Sequence, residues 1–321
     1  MNDVREIMRW RLEDGLCHEL GEPALDALAQ PGTSDVLLLE DGTLWVNAAG
    51  RWTVDSAAVY SIEQRETIIG LAANSLKQEA TFANPIIEGE VTIKGKRYRF
   101  TGHLPPIVAA PEIAFRKPAE IVYTLADYER DGIITAQQRE LLRQAVIKRK
   151  NIIIAGAMGS GKSTLANALI AEIPPETRVG TIEDTYELQV RLPNRSQLHT
   201  TSTIDLRRLV RTALRLQLDR IIVGEVRGAE ALDLLKAWNT GCSGGIATIH
   251  ANSAAAALLR LSSLIQEAGV PEQPQLIAEA VDLIVFIELE NGEHRRAQRR
   301  VTEIVRMEGL NVSGEFELAA A

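Results

Sequence analysis

The sequence predicts an α/β protein in which a small α+β domain precedes a larger domain built on a mainly parallel sheet. Three observations support this. Residues 35–117 consist mostly of strand and turn patterns, whereas apolar strand segments alternate with helices after residue 135. Such alternation is typical of βαβ units. The length of 321 residues also exceeds what one core usually organises. We therefore predict domains at 1–117 and 135–321, joined by a linker at 118–134.

The composition excludes several classes of protein. Hydrophobic residues make up 45% and charged residues 24%, as in ordinary soluble globular proteins. The formal charge of −8 argues against a protein that coats DNA non-specifically. No apolar run approaches the roughly 18 residues of a membrane span, and the charged N-terminus excludes a signal-peptide core. Because Cys17 and Cys242 form no disulfide framework, we expect a cytoplasmic protein.

The first domain is predicted from two hairpins and a capped helix. Asp41-Gly42 and Lys94-Gly95 each separate two apolar runs, which is typical of a hairpin turn. Between them, Ser61 and Gln64 have the spacing of a capping box, which indicates the start of a helix. These elements predict a small α+β domain.

The N-terminal segment "MNDVREIMRWRLEDG" carries apolar residues at helical spacing. Its mixed charge favours packing of the apolar face on a core, with a position on a membrane surface as the alternative. The apolar residues concerned are Val4, Ile7, Met8 and Leu12.

The second domain begins with a capping box, Thr135 with Gln138, that predicts a helix to about Arg149. Strand patterns then follow in "NIIIAG", "RVGTIE", "RSQLHT", "DRIIVGE" and "GGIATIH", with helical segments between them. Parallel sheets bind ligands beyond the carboxyl ends of their strands. The predicted chemistry therefore lies at that edge.

The segment "GAMGSGKST" fits the pattern G-x-x-x-x-G-K-[ST] of a P-loop and lies between an apolar strand and a helix. Glycines let the backbone N–H groups face a phosphate, and the start of the helix adds partial positive charge. Lys162 would neutralise the β- and γ-phosphates, and the Ser163 hydroxyl would ligate Mg²⁺. The predicted phosphate-binding residues are Gly156, Ala157, Met158, Gly159, Ser160, Gly161, Lys162, Ser163 and Thr164.

Two predicted strands end in carboxylates. Glu183 and Asp184 end "RVGTIED", and Glu225 ends "DRIIVGE". A P-loop domain needs an acidic group near Mg²⁺ and usually a second group that orients or deprotonates water. Alone, either position would equally fit a surface turn or a helix N-cap. Beside a P-loop on the same sheet, the functional interpretation is favoured.

His250 ends a third predicted strand, "GGIATIH", so we expect it at the same edge as Gly156, Glu183 and Glu225. An imidazole there could bond the γ-phosphate or respond to its loss, because histidine donates or accepts according to its tautomer. The alternative is a hydrogen-bonded structural histidine. No ligands cluster at zinc spacing, so metal binding by this histidine is not expected.

Four ordered motifs together resemble the traffic ATPases of type II and type IV secretion and pilus assembly, and within them the conjugative-transfer ATPases of the TrbB type. The motifs are the P-loop "GAMGSGKST", an aspartate box "TIEDTYEL", a Walker B segment "DRIIVGEVRG" and a histidine box "GGIATIHANS". The resemblance implies a RecA-like P-loop ATPase domain. This sequence departs from the family pattern at one place, because it has Cys242-Ser243 where the family often has His-Pro.

The resemblance implies a role for each matching residue. Lys162 and Ser163 would hold ATP and Mg²⁺, and Glu225 would support the metal. Glu183 looks like the base that activates water, and His250 like a sensor that links the phosphate state to subunit movement.

Two arginines match places where the family supplies positive charge to phosphates, Arg99 in "RYRF" and Arg116 in "FRKP". Arg227, directly after the Walker B stretch, is another candidate. Such charge stabilises phosphoryl transfer. For Arg99 the exposed face of a hairpin is an equally good explanation.

The resemblance further implies a homo-hexamer that works with other secretion-machine proteins at the inner face of the cytoplasmic membrane, where peripheral association is possible and direct DNA binding is not favoured. A nucleic-acid-stimulated RecA-like motor and a non-hydrolysing nucleotide-dependent scaffold are the alternatives.

Two basic segments have a solvent-exposed position as the favoured interpretation and a binding role as the less favoured one. Arg207, Arg211 and Arg215 would meet an acidic partner instead of solvent, and "HRRAQRR" (294–300) would contact lipid or DNA instead of forming a solvated hairpin turn.

Overall fold

The computed structural model describes residues 2–48, 50–118, 122–201, 203–291 and 297–321. The chain divides into two compact units, Met1–Glu120 and Ile121–Ala321. Each unit has its own sheet and its own apolar core.

The first unit contains a six-stranded antiparallel sheet in the order β3-β2-β1-β6-β5-β4. Side chains from both helices pack on one face of this sheet around Phe100 and Phe115, whose rings meet edge to face. The elements are α1 (Asn2–Ala29), β1 (Thr33–Leu38), β2 (Thr43–Ala48), β3 (Arg51–Val59), α2 (Ile62–Leu76), β4 (Ile86–Ile93), β5 (Lys96–His103) and β6 (Glu112–Arg116).

Both predicted hairpins form, β1–β2 around Asp41-Gly42 and β4–β5 around Lys94-Gly95. The capping box at the start of α2 is only half present. Ser61 accepts the bond from the Gln64 N–H, but the Gln64 amide donates to the Glu19 carbonyl at 2.7 Å. The side chain thus ties α2 to α1 instead of closing the box.

The predicted packing of the start of α1 is wrong. Ile7 and Met8 are 45% and 65% exposed, and Leu12 is only half-buried. The side chain of Val4 lies outside the described residues. The core contact is instead made further along, by Leu16, Leu20, Ala24 and Leu28. The helix is kinked at Gly21 (φ 64°), so Leu16 and Leu20 share one side of the segment before the kink, and Ala24 and Leu28 share one side of the segment after it.

The second unit contains an eight-stranded sheet in the order β14-β13-β12-β7-β11-β10-β8-β9. Strands β12, β7, β11, β10, β8 and β9 are parallel, and β13 and β14 extend the sheet antiparallel. The elements are α3 (Leu125–Arg130), α4 (Ala136–Ile147), β7 (Ile152–Gly156), α5 (Lys162–Ile170), β8 (Val179–Glu183), β9 (Arg195–His199), α6 (Leu206–Ala213), β10 (Arg220–Val223), α7 (Glu230–Asn239), β11 (Ile246–His250), α8 (Ala254–Gln266), α9 (Pro274–Ala280), β12 (Leu283–Asn291), β13 (Ala297–Leu310) and β14 (Phe316–Ala320).

Helices cover both faces of this sheet. Along β7, Ile153 belongs to a core with α6, α7, α8 and α9, whereas its neighbours Ile152 and Ile154 belong to a core with α3, α4 and α5. Because side chains alternate across a strand, these cores lie on opposite faces. A sheet buried on both sides explains why its strands are continuous apolar runs.

The predicted linker 118–134 differs from the structure in its second half. Residues 119–121 lie outside the described residues. After them, Thr124 and Asp127 form a complete capping box that starts α3. Leu125 and Tyr128 of α3 are buried in the core with α4 and α5. This stretch therefore packs as part of the second unit, ahead of the full capping box of Thr135 and Gln138 that starts α4.

Across the described part of the chain, no helix is both long enough and apolar enough to cross a membrane.

Candidate nucleotide-binding site

The loop between β7 and α5 has the backbone geometry of a phosphate cradle. Gly159 and Gly161 adopt φ values of 75° and 99°, which favour glycine. Gly156 is required for another reason, because a Cβ atom there would overlap the carbonyl oxygen of Ile287. Ser160 is fully buried and its hydroxyl has no hydrogen-bond partner among the described residues, whereas Met158 is 82% exposed.

Lys162, at the start of α5, is 7% exposed. Its Nζ atom donates to the carbonyl of Ala157 at 2.8 Å and lies 3.2 Å from Nδ1 of His250. An ammonium group only donates, so Nδ1 is the acceptor and the ring proton of His250 is on Nε2. Burial lowers the pKa of Lys162, while the carboxylates of Glu225 and Glu187 oppose this shift.

Glu225 connects His250 to two further charges. Its Oε1 atom lies 2.6 Å from His250 Nε2. Its Oε2 atom accepts from Arg227 at 2.6 Å, and this bond raises the pKa of Arg227. Arg227 also bonds Asp184 at 3.1 Å. The strand ends of β8, β10 and β11 thus meet at one edge of the sheet.

Glu183 is 2% exposed at the end of β8. Its Oε1 atom accepts the backbone N–H groups of Glu187 at 3.0 Å and Leu188 at 2.8 Å. Its Oε2 atom has no hydrogen-bond partner in the described structure and lies 3.7 Å from Nε2 of His199, which also has none. One oxygen of Glu183 therefore holds the following turn, and the other is buried without a hydrogen-bond partner among the described residues.

Glu187 and Asn167 were not predicted as site residues. Ser163 donates its hydroxyl hydrogen to Oε2 of Glu187 at 2.6 Å. Asn167, one helical turn after Ser163, donates to the carbonyl of Glu187 at 3.0 Å and accepts from the N–H of Gln189 at 2.7 Å. The turn after β8 is thus fastened to α5. The available signals were the closeness of Glu187 to Glu183 and the i, i+4 spacing of Ser163 and Asn167.

Arg99 and Arg116 belong to the first unit. They are directly opposite one another on β5 and β6, so their side chains share one face of the sheet. Arg116 bonds Asp35 of β1 at 2.8 Å and remains 58% exposed. Their action on a nucleotide stays a prediction.

The structure describes part of the two basic segments that the sequence analysis singled out. Arg207 and Arg211 both bond Asp233 of α7, at 2.7 and 3.0 Å, so a carboxylate of the chain itself offsets their repulsion. Residues 292–296 of the β12–β13 hairpin, which include the first half of the predicted basic run, lie outside the described residues.

The donors present fit a nucleotide and a hard cation. The cradle offers backbone N–H groups and Lys162, and the oxygens of Ser163, Glu187 and Glu225 line the same edge. The structure shows no group of three or more His, Cys, Asp or Glu side chains able to hold a metal within the residues it describes. Mg²⁺ usually takes one or two carboxylates together with water and substrate phosphates, and Glu225 with the Ser163 hydroxyl would supply protein oxygens of that kind.

This fold and loop define the class of P-loop proteins. Residues 88–310 match the family described as "Type II/IV secretion system protein". The chain is 43% identical over 302 residues to the conjugal transfer protein TrbB of Rhizobium radiobacter, covering 93% of this chain and 91% of that protein. It is 30% identical over 320 residues to the type IV secretion system protein PtlH of Bordetella pertussis, covering 88% and 93%. The chain belongs to the type II/IV secretion system protein family, which confirms the predicted resemblance.

Solved structures confirm the predicted fold class. The Legionella pneumophila ATPase DotB matches with a TM-score of 0.65 at 20% identity, over 90% of this chain and 80% of that one. The pilus retraction motor PilT matches with a TM-score of 0.62 at 20% identity, over 92% and 80%. The chain therefore has a RecA-like P-loop domain preceded by a smaller α+β domain.

Proposed function

We propose that this protein hydrolyses ATP with Mg²⁺ and thereby powers the assembly of, or substrate transfer through, a type IV secretion or conjugation machine. One observation carries the proposal. The fold brings Lys162 and Ser163 of the phosphate cradle to the same sheet edge as Glu225 and His250. The names of the relatives, a conjugal transfer protein and a type IV secretion system protein, support the machine.

In this proposal the cradle and Lys162 hold the phosphates of ATP, and Ser163 and Glu225 hold Mg²⁺. Bound Mg²⁺ supplies neutralisation of the charge that develops on the phosphate oxygens. Oε2 of Glu183, which has no hydrogen-bond partner among the described residues, takes the proton of the attacking water. The buried setting of Glu183 keeps its carboxylate in one position through its two backbone bonds.

His250 suits the role of a sensor because Lys162 contacts it directly. Any change in the partners of the Lys162 ammonium alters the bond to His250 Nδ1. The other ring nitrogen lies against Glu225, which bonds Arg227. A change at the phosphate therefore reaches two charged side chains through one imidazole.

We further propose that the protein acts as a homo-hexamer at the cytoplasmic face of the membrane, in contact with other machine proteins. Arg99 and Arg116 of the first unit, together with Arg227, are the proposed sources of positive charge for the phosphates. The shared face of Arg99 and Arg116 supports a common role for them.

The test combines phosphate release with native mass spectrometry. Lys162→Ala should fold, as judged by its melting curve, and lose hydrolysis, whereas Lys148→Ala, at an exposed residue after α4, should behave like wild type. A six-fold species in the presence of ATP would support the hexamer. Wild-type hydrolysis by folded Lys162→Ala, or no phosphate release by wild type, would refute the proposed ATPase.

A further inference from the structure

The hairpin formed by β12 and β13 extends past the end of the central strand β7. β12 pairs with β7 only from Leu283 to Phe286. From Ile287 onward it pairs with β13 alone, after a shift in register between Phe286 and Ile287. The hairpin therefore continues beyond the sheet edge at which the phosphate cradle begins.

This part of the hairpin packs directly on the cradle. The carbonyl of Ile287 leaves no room for a Cβ atom at Gly156. Val301, opposite Ile287, is buried in the core that includes α5, and its N–H donates to the carbonyl of Ile133 at 3.0 Å. The hairpin is thus anchored on both strands at the level of the cradle.

Arg299 lies two residues before Val301, so both side chains point to the same face of β13. A Cβ atom at Gly161 would lie 3.0 Å from Cδ and 3.1 Å from Nε of Arg299. Gly161 directly precedes α5 in the cradle. The exposed Arg299 guanidinium is therefore at the rim of the cradle, although it belongs to none of the four motifs.

Within the described ranges, no carboxylate lies at ion-pair distance from the Arg299 guanidinium, in contrast to Arg116 and Arg227. Its positive charge acts on Tyr128, where burial raises the pKa of the hydroxyl and the charge of Arg299 opposes that shift. A guanidinium at the rim of a phosphate cradle, with no carboxylate partner in the part of the chain that the structure describes, is suited to an anionic ligand.

The strand order decides which part of a nucleotide Arg299 can reach. β7 lies between β12 on one side and β11 on the other. His250 ends β11 and Glu225 follows β10, so both lie on the flank proposed for the γ-phosphate. Arg299 approaches from the opposite flank, on β13.

We propose that Arg299 binds the diphosphate portion that ADP and ATP share, as a charge supplied by the same chain as the P-loop. This rests on the proposed nucleotide function of the cradle. It adds a contact from the C-terminal hairpin to those of the four motifs.

The test measures the Kd of ADP and of ATPγS by calorimetry for the full chain. Arg299→Met keeps the apolar stem and removes the charge, and Arg299→Lys keeps the charge. Arg306→Met is the matched control, because Arg306 is an exposed arginine of the same strand that pairs with Glu308. Arg299→Met should raise both Kd values by the same factor, about 10-fold, and Arg299→Lys should recover most of the loss. The control should bind as wild type does.

Three results would overturn the inference. One is unchanged binding by Arg299→Met, and another is a loss for ATPγS alone, which would place the charge at the γ-phosphate. The third is an equal loss of affinity in Arg299→Met and Arg299→Lys with a lowered melting temperature, which would show that the side chain acts through packing.

Lys162→Ala distinguishes failure of the Arg299 inference from failure of the proposed nucleotide function. If wild type binds neither nucleotide, or binds no better than Lys162→Ala, the proposed function itself fails.

Discussion

Replacement of Glu183 separates the chemistry of the site from its folding. Glu183→Gln retains Oε1, which accepts the two backbone N–H groups of Glu187 and Leu188. The new amide N–H₂ faces Nε2 of His199, which can accept from it. Stability should therefore stay within about 1 kcal/mol of wild type. A general base contributes roughly 10²- to 10⁴-fold, so ATP turnover should fall by that factor.

Glu183→Ala has a different expected result, because it removes Oε1, which accepts both backbone N–H groups. The N–H of Leu188, a residue that is 4% exposed, would lose its partner at a cost of about 1–3 kcal/mol. The N–H of half-buried Glu187 keeps its second acceptor, the carbonyl of Thr185 at 2.9 Å, and adds little. The expected loss of unfolding free energy is therefore about 1–3 kcal/mol, together with loss of turnover.

The assay is phosphate release at saturating ATP, followed by urea unfolding of each variant. Glu176→Gln is the matched control, since Glu176 is an exposed carboxylate just before β8. Wild-type turnover by Glu183→Gln would refute the base assignment. Equal urea midpoints for Glu183→Gln and Glu183→Ala would refute the argument from the two backbone bonds.

Three further outcomes are expected. His250→Ala should change ADP affinity by less than about 2-fold yet lower turnover at least about 10-fold; unchanged turnover would make His250 structural. Gly245→Ala should lose about 1–3 kcal/mol in urea unfolding, because a Cβ atom there would overlap the indole of Trp238, whereas Gly70→Ala, with open space around it, should lose nothing. Burial raises the pKa of Asp233, but its two arginine partners outweigh this and lower it below its ordinary value of 3.8. Its contribution is therefore present above that value and lost as the pH falls through the lowered pKa. Asp233→Asn should be less stable than wild type by up to about 1 kcal/mol at neutral pH and equally stable in strong acid, and a difference that persists there would contradict this.

The sequence predicted the strand-end residues of the site because parallel strands share one carboxyl edge. The proximity of Glu225 and His250 could be predicted by recognising that each follows or ends a strand of the same sheet. The register of those strands was not needed. The same reasoning could not find Arg299. Its position depends on where β12 stops pairing with β7 and on a register shift between Phe286 and Ile287, which the apolar pattern of the hairpin does not record.

The sequence pattern also did not predict Glu187 as a site residue. The contact between Glu187 and Ser163 refines the proposed role of Ser163. A hydroxyl has one hydrogen to donate and two lone pairs that accept or ligate. Glu187 takes the hydrogen of Ser163 at 2.6 Å, so both lone pairs of the Ser163 oxygen are left for a cation. Groups that hold a ligand by its hydrogen orient it and strengthen it as a donor to the metal. Because Asn167 ties the Glu187 backbone to the same helix as Ser163, the proposed Mg²⁺ ligand is oriented before any nucleotide binds.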